Sequence, residues 1–298
     1  MAINITTVDD AIEDNGVKIL VHGLAGSGKT TLCATTGAPT LILNVEGGLL
    51  SLKGAPSYIK TAKITNIDEF EEYYNYLVQQ RNDGDQEFQW IALDSISDIA
   101  EQVLKIELDA CADPRKSYPA FQARVIGLIK GFRDLAGYNV IMTAKQDMVK
   151  DDYTGITLRV PSMPGNKLGP QVPYLFDEVF AIMVEKDEDD EDYRVIQTNR
   201  DIMYEAKDRS GKLGMYEPPN LKKILSKIHA GDDPDFAPTN SEESEAEEPE
   251  SDSLMYWYHD ESDSYGECMS SEFEDLCDNA PGGLVEVSKE EYDKKSSD

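Results

Sequence analysis

Gly23-Leu24-Ala25-Gly26-Ser27-Gly28-Lys29-Thr30 has the spacing of a phosphate loop, GxxxxGK[ST]. The residue types state the chemistry. Glycines let the backbone curl until the N–H groups from Gly23 to Thr31 face phosphate oxygens, and the following helix adds its dipole. Lys29 is expected to reach the β- and γ-phosphates of ATP, and Thr30 to ligate Mg²⁺. "WIALDS" (90–95) supplies the other half of a metal site. Its four apolar residues put Asp94 at the exit of a buried strand, where Mg²⁺ is held. The plainer reading is a strand that stops before a helix capped by Ser95. In "LILNVEGG", Glu46 follows another buried run, with Gly47 and Gly48 freeing the backbone beside it. A carboxylate there can polarise a water for attack on the γ-phosphate; the alternative is an ordinary loop glutamate.

These groups need rigid elements to position them. Five apolar segments, "VKILVH" (17–22), "TLILNV" (40–45), "FQWIALD" (88–94), "NVIMTA" (139–144) and "EVFAIMV" (178–184), suit strands buried on both faces of a parallel sheet. Helical stretches lie between them. Asn66 and Glu69 have capping-box spacing, and Phe70, Tyr73, Tyr74 and Leu77 share one helical face. Residues 121–137 read as a second amphipathic helix stopping near Gly137. The alternation predicts an α/β fold: a mostly parallel central sheet flanked by helices. Residues 1–16 read as a polar lead-in and 17–229 as the main domain. Within that domain 147–176 reads as one long loop, and 193–213 as a terminal hairpin. Residues 230–253 read as an acidic disordered linker, and 254–298 as a small hairpin–helix–strand module.

The 298 residues carry a formal charge of −30. From Asp232 to Asp298 there are 23 acidic and 3 basic residues, a net of −20, which leaves −10 for the rest. The acidity therefore says little about what the main domain binds. It does disfavour general attraction to nucleic-acid phosphates, so any such binding needs a local basic groove. Cys33, Cys111, Cys268 and Cys277 form no CxxC pair, and the nine-residue intervals of His259, Cys268 and Cys277 do not match structural zinc spacing. No apolar run reaches the ~20 residues of a membrane span and no signal-peptide pattern opens the sequence, so a soluble, cytoplasmic protein is expected.

Glu46 at the end of the strand after the phosphate loop, with Ser95 and not Glu beside Asp94, resembles the RecA-type ATPase core. "NVIMTAKQD" is similar to that core's next strand, which ends in a polar sensor of the γ-phosphate; Thr143 and Gln146 are the candidates. "AKDRSGKL" (206–213) is similar to the KNRxG element of hexameric helicases and RadA-like proteins, with Asp208 in place of Asn. The resemblance implies that Lys207 and Arg209 act as fingers in a neighbouring subunit's ATP site. Taken alone, Asp-Arg-Ser-Gly is good turn chemistry. In this order the elements resemble the phage-encoded RecA-like AAA-type ATP-binding proteins, including the Sak-four-type single-strand annealing group, over residues 15–228.

That resemblance implies an ATPase assembled as a ring or filament in the host cytoplasm, working on single-stranded DNA in annealing or recombination beside a single-strand binding protein. The stretches corresponding to DNA-gripping loops are 111–121 and 147–176. They offer Arg115, Lys116, Tyr118, Lys150, Tyr153, Arg159 and Lys167, cations and rings that suit a single strand; surface loops carry such residues anyway. The rival readings are a nucleotide-kinase-like phosphotransferase and a nucleotide-gated assembly protein. A kinase lid usually holds several arginines, whereas 147–176 holds only Arg159.

Overall fold

The computed structural model describes residues 6–111, 113–150, 155–187 and 190–229, and strands at 254–259, 264–269 and 284–287. The chain divides into two compact units, 1–233 and 234–298.

In the first unit the strands are β1 (Lys18–His22), β2 (Thr40–Asn44), β3 (Ile59–Lys63), β4 (Trp90–Asp94), β5 (Asn139–Ala144), β6 (Gln146–Lys150), β7 (Thr157–Pro161), β8 (Glu178–Lys186), β9 (Asp192–Gln197), β10 (Lys207–Asp208) and β11 (Tyr216–Glu217). The helices are α1 (Val8–Asn15), α2 (Lys29–Cys33), α3 (Ile67–Asp83), α4 (Ile96–Ala110), α5 (Pro114–Arg133), α6 (Leu168–Gln171) and α7 (Leu221–His229). The main sheet runs β3-β2-β4-β5-β1-β8-β9-β11. From β3 to β8 every pairing is parallel, while β9 and β11 close the sheet antiparallel.

The parallel strands are apolar along their length because both sheet faces are covered. Successive residues of β1 face opposite ways: Leu20 joins Phe70, Phe121 and Phe132 of α3 and α5, whereas Ile19 and Val21 join Leu32 of α2 and Leu221 and Ile224 of α7. The strand order has a functional consequence. β5 separates β1 from β4, and β4 borders β2, so the exits of four strands share one edge of the sheet. That edge gathers the phosphate loop, Thr143, Asp94 and Glu46.

Several expectations change. Residues 147–176 are not one loop: β6 and β7 form an antiparallel hairpin, with Gln146 opposite Pro161 and Lys150 opposite Thr157, followed by short helical turns from Leu168 to Leu175. Asp147 to Lys150 are all exposed, so no buried alternation marks the first strand. The antiparallel hairpin near the end joins β8 to β9, Ala181 opposite Gln197 through Lys186 opposite Asp192, instead of spanning 193–213. β10 takes over the same edge of β8 lower down. The stretch 111–121 is mostly helical, because Asp113 caps α5 by accepting from the Arg115 N–H and the helix runs through Pro119 to Arg133. The lead-in contains α1, capped by Thr7.

In the second unit β12 (Leu254–His259) pairs antiparallel with both β13 (Ser264–Met269) and β14 (Leu284–Val287). The linker 230–253 and the helix expected between β13 and β14 lie outside the described residues.

Candidate nucleotide site

The phosphate loop leaves β1 at Gly23 and enters α2 at Lys29. Gly26 and Gly28 have φ of 77° and 104°, left-handed values that L side chains rarely adopt. Gly23 is needed for space: a Cβ there would lie 2.5 Å from the Ile182 carbonyl oxygen. Lys29 Nζ donates to the carbonyls of Gly23 and Leu24, each at 2.9 Å, so the ammonium is held inside its own loop. Burial pushes its pKa down, against the attraction of Glu46 and Asp94. Ser27 Oγ is buried with no hydrogen-bond partner among the described residues. A buried hydroxyl left open in this loop is suited to a phosphate oxygen.

Asp94, 1 % exposed, is the hub. Thr30 Oγ1 donates to its Oδ2 at 2.7 Å, and Thr143 Oγ1 donates to its Oδ1. β4 and β5 are hydrogen-bonded neighbours, and this brings Thr143 to the carboxylate. Thr30 and Asp94 form a set of hard oxygen donors that fits Mg²⁺. Of the two sensor candidates, Thr143 is therefore the one at the metal site. Gln146 lies beside His22, a buried ring whose Nε2 is 2.6 Å from the Glu205 carbonyl oxygen and whose pKa burial lowers to about 4.

Glu46 is next to this hub. Its N–H and that of Val45 donate to the Asp94 carbonyl at 3.3 and 2.8 Å, which ties the exit of β2 to the exit of β4. The side chain is exposed, yet partial desolvation and then the nearby Asp94 and Asp98 raise its pKa. Asn44 Oδ1 accepts from the Gly47 N–H at 2.7 Å and shapes the turn that carries Glu46. Lys145 pairs with Asp98 and Glu101 at 2.8 and 3.0 Å, and its charge reaches Lys29 and Glu46.

Lys207 and Arg209 are elsewhere. Lys207 is in register with Val179, which is level with Leu20 two residues before the end of β1, and Asp208 pairs with Glu178 lower still. Lys207 Nζ donates to the carbonyls of Pro173, at 3.0 Å, and Phe176; Arg209 pairs with Asp177 at 2.8 Å. Both point to the end of the sheet away from their own phosphate loop. Asp208 accepts from Ser210 Oγ and the N–H groups of Gly211 and Leu213, so it closes the turn beneath Arg209. The adjoining Glu178, 2 % exposed, has its pKa raised to about 8 by burial and then by Asp208.

Among the cations and rings weighed for a single strand, the Tyr118 ring lies against Gly165, two residues before Lys167, and Lys150 lines the same cavity as Gly165 and Asn166. Arg115, Lys116 and Tyr118 sit on the first turns of α5; Arg115 pairs with Asp113, and Tyr118 meets Phe121 edge-on. Lys150 ends β6, and Lys167 precedes α6; both are exposed. The Arg159 guanidinium lies 4.7 Å from the Tyr204 ring centroid, and its strand hydrogen-bonds to residues 203 and 205. Tyr153 lies outside the described residues. The sequence reading missed Arg194, whose stem crosses Gly28. It stands in the polar stretch "DYRVIQ", where nothing in residue type or spacing signals a site.

Among the described residues no helix is long and apolar enough to cross a membrane, and no group of His, Cys, Asp or Glu could hold a metal ion by itself. The Thr30–Asp94 pair would hold a Mg²⁺ only together with oxygens of a bound nucleotide. Among curated proteins no match is found. The family model described as AAA domain matches residues 15–210, a span that starts just before the phosphate-loop strand and ends just after Arg209. The match covers well over half of the chain and all the site residues built up above, so the chain belongs to the AAA-domain family and carries a nucleotide-binding domain of ATPase type.

Proposed function

We propose that the protein hydrolyses ATP in head-to-tail assemblies and uses the cycle to bind single-stranded DNA for annealing or recombination. One observation carries the assembly: Lys207 and Arg209 are tethered at the end of the sheet away from the phosphate loop of their own chain. Head-to-tail stacking brings that end of one copy toward the loop of the next, where a cation stabilises charge developing on the γ-phosphate. Within each copy, Lys29 and Thr30 hold the phosphates, Asp94 and Thr30 hold Mg²⁺, Thr143 orients Asp94, and Glu46 accepts a proton from the attacking water. Mg²⁺ supplies the neutralising charge between the phosphates. The DNA part rests on the likeness to phage RecA-like ATPases and on Lys116, Lys150, Lys167 and Tyr118, which are exposed. Binding at the host's single-stranded DNA, beside a single-strand binding protein, belongs to the same reading.

The test is ATP hydrolysis with and without oligo-dT for the intact chain, Arg209→Ala and Glu46→Gln. The reading expects stimulation by the oligonucleotide, its loss in each variant, and partial recovery when the two are mixed, since a mixed interface pairs an intact Arg209 with an intact Glu46. Unstimulated, equal rates for the intact chain and Arg209→Ala would sink both the finger and the DNA assignments and leave a kinase or a switch.

A further inference from the structure

The eight arginines of the chain are not equivalent. Six pair with carboxylates, and Arg159 stacks on Tyr204. Arg194 has no ion pair, hydrogen bond or ring partner among the described residues, in a chain with 58 acidic side chains. Its position is equally distinctive. β8 runs beside β1 and continues past its end, with Ile182 packed against Gly23. β9 returns along β8 with Arg194 opposite Val184, so the hairpin rises beside the phosphate loop. A Cβ on Gly28 would lie 3.1 Å from Arg194 Cδ and 3.2 Å from its Nε. The arginine stem therefore passes directly over the glycine that precedes Lys29, and its guanidinium is exposed to solvent.

We propose that Arg194 is a nucleotide ligand supplied by the same chain, its guanidinium donating to the phosphate chain of the nucleotide bound over Gly28. This rests on the nucleotide reading of the loop and adds to it. An unpaired guanidinium has five donors and no competing carboxylate, and its fork matches phosphate oxygens. Lys29 reaches the phosphates only by leaving its loop carbonyls, whereas Arg194 has no described partner to leave. Lys207 and Arg209 wait on assembly; Arg194 does not. It accordingly contributes to binding in the isolated chain and is shared by ATP and ADP.

The test is equilibrium binding of a fluorescent ADP and its displacement by ATP and by pyrophosphate, with Mg²⁺, at concentrations where sedimentation shows single chains. Lys29→Ala serves as control. Arg194→Ala is expected to weaken ADP, ATP and pyrophosphate together by about 10- to 100-fold, the scale of a charge-assisted hydrogen bond. Arg194→Lys should recover part of this loss. Equal pyrophosphate affinity in Arg194→Ala and the intact chain overturns the proposal, whatever happens to ADP. Failure of the intact chain to bind, or binding untouched by Lys29→Ala, overturns the nucleotide reading instead. Unchanged melting of Arg194→Ala separates lost contact from lost fold.

Discussion

Glu46 and Thr143 reach the phosphate site by different means, and their substitutions should fail differently. Glu46 has its pKa raised by partial desolvation and by Asp94 and Asp98. A general base works in its deprotonated form, so the hydrolysis rate should rise with pH through that elevated pKa and then level off. Glu46→Gln should cost about 10²- to 10⁴-fold in turnover, the usual scale of general-base catalysis, while ADP affinity stays within a few-fold of the intact chain. A rate profile and a binding isotherm on the same preparation check both parts. Thr143 instead touches Asp94, the carboxylate proposed to hold the metal, through its bond to Oδ1. Thr143→Val keeps the shape and removes the donor, so the Mg²⁺ concentration for half-maximal hydrolysis should rise about tenfold. The sequence made Asp94 and Glu46 legible because each ends an apolar run in a carboxylate. It could not choose between Thr143 and Gln146: register alone places them three residues apart, and only the pairing of β5 with β4 puts the threonine at the aspartate.

At the scale of elements, the turn that carries Lys207 and Arg209 hangs on two carboxyls. Asp208 closes the turn, and the buried Glu178 faces it across β10 and β8. Glu178 has its pKa raised to about 8 by burial and by Asp208, from 4.5. The folded chain thus keeps a proton that the unfolded chain has released, so its contribution to stability is full below pH ~4.5 and is lost as pH rises towards 8. Buried His22 works in the opposite sense: its pKa falls from 6.5 to about 4, so its contribution grows between those values. Lys18, whose pKa burial lowers from 10.5 to about 8, acts with the opposite sign as pH nears 8, so the window from about pH 6.5 to 7.5 is the one governed by Glu178. There, denaturant midpoints of the intact chain should fall with pH, and those of Glu178→Gln should stay flat; equal slopes would remove the account of Glu178 as protonated in the folded chain. Lys207 feels the charges of Arg209, Asp177 and Glu178, and Arg209 pairs with Asp177. Asp208 stands where the resembled motif has Asn, and it accepts hydrogen bonds from Ser210 Oγ and the Gly211 and Leu213 N–H groups. The elements themselves were legible where burial is two-sided, as in β1, β2, β4 and β5. They were not legible in β6, whose residues 147–150 are all exposed, or in edge strand β3, where no position is fully buried. Two-sided burial writes a continuous apolar run into the sequence; an exposed hairpin leaves only polar residues.

At the scale of the whole molecule, charge sets the last question. Residues 232–298 carry −20 of the total −30, while the exposed cations weighed for DNA are Lys116 on α5, Lys150 on β6 and Lys167 in the turn before α6. Three lysines make a weak electrostatic footprint, and an attached polyanion would compete for the same cations or repel an incoming strand. Both effects reach only about a Debye length, ~8 Å at physiological salt and ~3 Å at 1 M. Removing residues 230–298 should therefore tighten oligo-dT binding at low ionic strength. The gain should shrink as salt is raised, until the two chains bind alike. The measurement is anisotropy of a labelled oligo-dT against both chains, with a nucleotide bound, across a salt series. Because the cations on the main domain are the same in both chains, the truncated one should show the steeper loss of affinity with salt, having lost the competitor that screening would otherwise silence. Equal affinities at the lowest salt would mean that the acidic segment neither repels the strand nor occupies its site, and would leave it the simpler part of a solvated tether for the β12–β14 sheet.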